Sequence, residues 1–204
     1  MKRFPSITIL ALLPLALLFA SCATTGPVTR VDANTRTDLS GNWNDTDVRI
    51  IANSLVTECV NARAISEYIR VNGRNPVVIV GAFRNRSDEH IDTSILTAKF
   101  EKELLNSGRT EFVEGGATRK EIRNERQDQQ SHAGEDTAKA LANETAADFM
   151  LQGSVKTMVD AVDGTMARNY IVSAQLVDIE TTKIVWAGEN SEIKKVIQRA
   201  KVKF

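Results

Sequence analysis

The sequence predicts an α/β (α+β) fold: a single mixed sheet of about five strands with helices packed on it, a βαβ unit followed by an antiparallel meander. Three observations point there. Apolar residues recur at helical spacing from Val48 to Ala62 and again from Leu96 to Leu104. Between these stretches lies a short β-branched run, Val77-Val78-Ile79-Val80, bounded by turn residues. Beyond Asp148 the period falls to two, in three stretches separated by Asp163-Gly164 and by Glu180 to Thr182.

Each element has a local cause. In "WNDTDV" Asn44 fits a helix N-cap, Asp47 the reciprocal capping position, and Trp43 can clasp Val48. Val48, Ile51, Ala52, Leu55, Val56, Cys59 and Ala62 form the buried stripe, so Cys59 is expected to pack as a small hydrophobe rather than act as a nucleophile. The helix continues or restarts through Ile65, Tyr68 and Ile69 and ends near Gly73. After the strand at Val77–Val80 comes a charged loop, "RNRSDEHID". Asp92 is placed to cap a second helix, with Ile91 and Leu96 as its staple and Leu96, Phe100 and Leu104 as its buried face. Residues 110–114 make a second short strand, which closes a right-handed βαβ unit. Residues 118–130 carry Ile122 as their one bulky apolar side chain, so a helix there is mostly solvated; a further helix is expected at about Thr137 to Ala146. In the meander, Val172, Ala174 and Leu176 alternate with the less apolar set Ile171, Ser173, Gln175 and Val177.

The amino terminus speaks to location. Lys2 and Arg3 precede an apolar run from Ile7 to Ala20, shorter than the roughly 20 apolar residues that span a bilayer. Residues 1–21 have the form of an export signal. "FASC", with Phe19 where leucine is usual, resembles the lipobox of bacterial lipoproteins, which implies cleavage before Cys22 and its acylation. Ala23 after the cysteine resembles an outer-membrane sorting signal, so the expected location is the outer membrane, lipid-anchored and facing the periplasm. Residues 22–40 hold few sizeable apolar side chains and are expected to be a flexible tether; residues 41–204 are expected to be a single globular domain. From Ala23 to Ser40 the tether reaches at most roughly 60 Å.

Without residues 1–21, 24 basic side chains stand against 26 acidic ones. That balance gives no support to nucleic-acid binding, which needs a basic face to neutralise phosphates. The C-terminal cluster Lys194, Lys195, Arg199, Lys201 and Lys203 suits an acidic partner, anionic headgroups or simply water. Asp88, Glu89, His90 and Asp92 are suitable metal ligands in type, but their spacing matches no metal motif, and His132 is 42 positions from His90. Charges that fold the loop and cap a helix account for the same residues. The chain has no Gly-x-Ser-x-Gly, Ser-x-x-Lys, Walker or Gly-x-Gly-x-x-Gly motif, so the expectation is no catalytic, cofactor-binding or metal-binding residue.

"LSGNWNDTDVRIIANSL", "PVVIVGAFRNRSDEHIDTSIL", "LLNSGRTEFVE" and "TAKALANETAADFMLQGSV", in that order, resemble the LpoB-type outer-membrane lipoproteins. The resemblance covers Leu39 to Ile197 and implies a fold similar to the amino-terminal domain of TolB. It also implies a non-catalytic monomer that binds and stimulates a class A penicillin-binding protein in peptidoglycan synthesis, with the membrane reached through lipid at Cys22. The tether is shorter than in enteric members: either the synthase extends outwards, or the chain sits in the inner membrane, or the fold serves another envelope partner. The alternatives are an assembly lipoprotein of CsgG-like or TolB-like fold and, third, an envelope glycosidase. Arg84, Arg86, Asp88 and His90 are the candidates for partner contact, because loops after strands carry function more often than cores do.

Overall fold

The computed structural model describes residues 29–32, 35–114, 116–132 and 146–198. Two compact units divide the chain, Met1–Thr35 and Arg36–Phe204. In the first, the Thr35 amide donates to the Asp32 carbonyl at 3.0 Å. The second holds every helix and strand described below.

Helix α1 (Asp45–Val60) begins where the sequence places it. The Asn44 side chain accepts from the amides of Thr46 and Asp47, and the Asp47 carboxylate accepts from the Asn44 amide at 2.9 Å, so the capping box closes in both directions. Trp43 and Val48, the expected clasp, line one groove, and the Trp43 ring also lies 5.3 Å from the ring of Tyr170. The chain restarts as α2 (Arg63–Asn72), which ends at Gly73 with φ +65°, the left-handed conformation that a glycine adopts at least cost. Tyr68 packs edge-on against Phe149, and Arg74 beyond it forks onto the Asp148 carboxylate at 2.9 and 3.0 Å.

Strand β1 spans Val77–Arg86, further than the four residues expected. The extension comes from its neighbour. β3 (Phe149–Val162) is long enough to go on pairing with β1 past an irregularity between Val80 and Phe83, taking Arg84 opposite Ser154 and Arg86 opposite Lys156. Arg84 and Arg86 are therefore strand residues rather than loop residues.

Asp92 caps α3 (Thr93–Asn106) by accepting from the Ser94 amide at 2.9 Å. Leu96, Phe100 and Leu104 are fully buried beneath the helix, each contributing roughly 2 kcal/mol of hydrophobic stabilisation. The Phe100 ring stacks on Phe83 at 4.6 Å, which ties the helix to the middle of β1. β2 shrinks to Glu111–Phe112 and pairs parallel with Val77 and Val78, completing the β1-α3-β2 unit. Helix α4 (Gly116–His132) leaves Ile122 41% exposed, in keeping with a solvated arm. The helix expected near Thr137 to Ala146 lies outside the described residues except for its last one.

The meander follows the expected order. β3 and β4 (Thr165–Asp178) pair antiparallel over their whole length, from Phe149 opposite Asp178 to Val162 opposite Thr165. Their turn is Asp163-Gly164 with φ +47° and +79°, the two positive values that a tight hairpin demands. β5 (Ile184–Gln198) adds antiparallel to β4, giving the sheet order β2-β1-β3-β4-β5. Helices α1 and α3 bury one face of this sheet. There Leu151, Val155, Tyr170, Val172 and Leu176 meet the stripe of α1, which includes Cys59. Burial pushes the Cys59 thiol up to about 12, so it stays protonated as packing material.

Candidate partner-docking surface

The pleat sends alternate residues of each strand to opposite faces. Because Phe83, Val155, Val172 and Asn190 are buried on the helix side, their neighbours Arg84, Ser154, Ser173 and Glu189 emerge together on the other. Register aligns these four in one row across the sheet: Arg84 opposite Ser154, Ser154 opposite Ser173, Ser173 opposite Glu189. A second row runs beside it, Gln152 opposite Gln175 and Gln175 opposite Ala187. The two rows, with Ala82 and Arg86, line a cavity of about 430 Å³. Ser173 donates to the Glu189 carboxylate at 3.2 Å.

Gly153 supports the floor of this trough from behind. A Cβ there would come within 2.2 Å of the Ser173 carbonyl oxygen and 2.5 Å of the Phe83 ring, so the strands approach each other only with glycine in place.

On the helix side a buried polar network closes the end of the core. Arg168 continues the inward row of β4 beyond Tyr170 and Val172, and its guanidinium meets the carboxylates of Asp88, at 2.8 Å, and Glu89. Glu89 also accepts from the Tyr170 hydroxyl at 3.0 Å and from the Trp43 amide at 3.1 Å. Arg168 reaches Asn42 Oδ1 at 3.1 Å, and the Gly41 carbonyl oxygen also lies 3.0 Å from the Tyr170 hydroxyl, competing with Glu89 for its one proton. Burial, reinforced by the Glu89 carboxylate, pushes the Tyr170 hydroxyl well above its ordinary value. Asp88 is held below the usual carboxylate range by the Thr157 hydroxyl, which donates at 2.6 Å, and by Arg168.

Lys195 anchors the second half. Its ammonium donates to Asp47 at 2.6 Å and to the Asn42 carbonyl at 2.8 Å, and pairs with Asp38 at 3.0 Å. The Lys195 bond draws the Asp38 carboxyl down. At Asp47 burial pushes the carboxyl up, against the pull of Lys195 and the Asn44 amide. Lys195, counted with the basic C-terminal cluster, is thus an internal cation only 9% exposed. Lys195 therefore leaves the set of basic side chains open to an acidic partner, anionic headgroups or water, because three oxygens of the chain already surround it. Lys194 is exposed, and Arg199, Lys201 and Lys203 lie outside the described residues.

The structure divides the four contact candidates. Arg84 and Arg86 are exposed in the sheet trough, and neither makes a side-chain hydrogen bond or ion pair with the described residues. Asp88 is exposed in part but committed to Arg168 and Thr157. His90 is exposed in a separate groove, beside Trp43, Val48 and Ile95. Among the described residues, no group of three or more His, Cys, Asp or Glu is placed to hold a metal ion. Asp88 and Glu89 spend their oxygens on Arg168, and Asp92 spends its own on Ser94. Cys22 lies outside the described residues.

The sequence reading missed Arg168 and the serine and glutamine rows. Their signal lay in the meander, where an arginine sits in phase with Tyr170 and Val172, and the opposite phase carries Ser173 and Gln175.

The family model for the peptidoglycan-synthase activator LpoB matches residues 47–192. The chain belongs to the LpoB family. That match takes in both sheet rows and Arg168, Asp88, Glu89 and Tyr170, while Asp38, Gly41, Asn42, Trp43 and Lys195 fall outside it. Among solved structures the chain is similar to the LpoB C-terminal domain of Salmonella enterica (19% identity, TM-score 0.35), covering 67% of this chain and 93% of that one. It is similar also to the LpoB C-terminal domain of Escherichia coli, at 17% identity and TM-score 0.36, covering 69% and 98%. A third is lipoprotein GNA1162 of Neisseria meningitidis, at 16% identity and TM-score 0.37, covering 62% and 88%. No curated protein matches the chain.

Proposed function

We propose that this LpoB-family chain is a non-catalytic periplasmic lipoprotein, held in the outer membrane by lipid on Cys22, that binds and stimulates a class A penicillin-binding protein. The observation that carries the reading is the family match over residues 47–192. Two arginines without a partner among the described residues, on one sheet face beside a network that fixes the neighbouring loop, fit a surface presented to another protein. Stimulation by binding alone requires that the synthase hold this domain more tightly in its active state than at rest. A tenfold preference shifts that equilibrium by about 1.4 kcal/mol.

The test is glycan polymerisation by the purified class A synthases of the source organism, with and without the full chain lacking lipid. The chain alone should release nothing from peptidoglycan, and one synthase should be accelerated. Acceleration of none of them refutes the reading, and product release by the chain alone would turn it toward a glycosidase. Cys22→Ala should abolish palmitate labelling and move the protein from the outer-membrane to the soluble fraction. Labelling that persists, or a wild-type protein found in the inner membrane, refutes the anchoring scheme.

A further inference from the structure

We propose that the face of the sheet left open by the described helices is a bipolar seat for an extended segment of the synthase, with the arginine end taking an acidic side chain and Glu189 taking a basic one. The inference rests on the reading that a synthase is the partner, and adds to it the surface and the kind of segment.

Arg84 and Arg86 stand on β1 at one side of the trough, with Lys156 of β3 opposite Arg86. All three are exposed, and none makes a side-chain bond to a described residue. The buried cations Arg168 and Lys195, by contrast, are each paired with two carboxylates of this chain. Glu189 stands on β5 at the far side, held by one neutral hydroxyl, that of Ser173. The surface therefore carries a positive and a negative end, and a complementary ligand carries the reverse.

Spacing then sets the length. Arg84 and Glu189 lie in one register row on strands separated by two others. Three strand-to-strand steps of about 4.8 Å put roughly 14 Å between the two positions, which an extended chain covers in about four residues. Between the ends the floor is low, with serines in one row and Ala82 and Ala187 flanking it, so a backbone can lie close to the sheet. Gln152 and Gln175 face each other across the strands, and each carboxamide offers two donors and an acceptor suited to passing peptide groups. The volume of about 430 Å³ lies within the range of small ligand sites, about 300–1,000 Å³. Among the described residues no aromatic side chain lines the trough, so they offer no stacking surface of the kind a nucleobase uses.

The experiment uses the full chain without lipid and a purified class A synthase that it stimulates. Arg84→Glu with Arg86→Glu should weaken binding about tenfold or more, as should Glu189→Lys alone. Ala187→Trp, which fills the trough and leaves both charged ends intact, should do the same. Lys120→Glu on the exposed α4 should change nothing. Circular dichroism and thermal unfolding should match wild type in all four. A photoreactive p-benzoylphenylalanine at position 191, exposed two residues beyond Glu189 and outside the trough lining, should crosslink to a synthase segment holding an acid and a base about four residues apart. Unchanged affinity in the trough variants, with stimulation intact, would overturn the seat and leave the functional reading standing. A crosslink to a synthase helix, or loss of affinity from Arg84→Glu with Arg86→Glu but not from Glu189→Lys or Ala187→Trp, would also overturn it. Failure of wild type to bind any class A synthase would bring down both.

Discussion

Replacing Arg168 by methionine should expose how much of the fold rests on one guanidinium. The Arg168 side chain is 10% exposed and Glu89 13%, so removal strands a carboxylate away from water with the Tyr170 hydroxyl and the Trp43 amide as its remaining partners. Breaking a buried ion pair from one side costs about 3–5 kcal/mol, most of it the desolvation of the group left behind. Asp88 adds little, because at 46% exposure water replaces the guanidinium. Taking about 3 kcal/mol, and about 3 °C per kcal/mol for a folded unit of this size, the melting temperature should fall by roughly 10 °C. Adding Glu89→Gln removes the stranded charge and keeps an oxygen for the Trp43 amide, so the double variant should recover most of the loss. Urea titration followed by tryptophan fluorescence is the assay, since the Trp43 ring lies against Tyr170 beside the network. A single variant costing under about 1 kcal/mol, or a double variant no more stable than the single, would refute the reasoning.

Lys195→Met should cost about 3 kcal/mol, since it leaves Asp47 buried without its cation, whereas Lys194→Met on the same strand should stay within about 0.5 kcal/mol. Equal effects in denaturant titration would contradict the internal placement of Lys195. Gly153→Ala should destabilise by about 1–3 kcal/mol through overpacking against β4 and Phe83, and a neutral result in the same titration would count against the close approach there. Cys59 should resist a thiol reagent in the folded protein near pH 8 and react at once in denaturant; fast labelling of the native state would contradict a buried, protonated thiol. Asp38, Asp88 and Asp148 have carboxyls held below their ordinary value of 3.8: Asp38 by Lys195, Asp88 by Thr157, and Asp148 by Arg74 and the Val77 amide against its burial. A depressed folded value gives stability that is present above the unfolded value and lost as pH falls through the folded one, so stability should drop below about pH 4. Asp47, raised by burial, acts with the opposite sign, its ionisation costing stability as pH rises through its folded value. Urea midpoints measured from about pH 6 to about pH 2 should fall less steeply for Asp148→Asn; an unchanged slope would contradict its share.

What the chain shows by itself is what its neighbours in sequence decide. Both helix starts are short-range devices: Asn44 finds its donors two and three residues on, and Asp92 finds Ser94. The Asp163-Gly164 turn is as local, and with it the register of a whole hairpin. The length of β1 is different. Arg84 to Arg86 is polar and turn-like on its own, and becomes strand because β3, some seventy residues later, offers a backbone to pair with. Lys195 fails for the same reason. Its charge counts with Lys194, while the carboxylate that neutralises it sits 148 residues earlier at the end of a different element. A trace of the answer was legible, since Lys195 is in phase with the apolar Ile193, as Arg168 is with Tyr170. A charged residue in the apolar phase of a strand needs a buried counter-ion, and the sequence says that one exists without saying which.

The same network also bears on how an anchored chain would present its surface. Gly41, Asn42 and Trp43, the segment leading into α1, are bonded to Tyr170, Arg168 and Glu89, and Asp38 just before them is bonded to Lys195. Under the proposed scheme the lipid sits on Cys22, and the sixteen residues from there to Thr37 extend to at most roughly 55 Å. Tension along that length would reach Asp38 and the ion pairs of Lys195 and Arg168, which lie on the helix side of the sheet. The trough is lined by the opposite phase of the same strands and shares none of these side chains. On that proposed scheme a load on residues 22–37 would reach the Lys195 and Arg168 pairs and bypass Arg84, Arg86 and Glu189 on the opposite face. The proposed anchoring and the proposed docking would thus fall on opposite faces of one sheet.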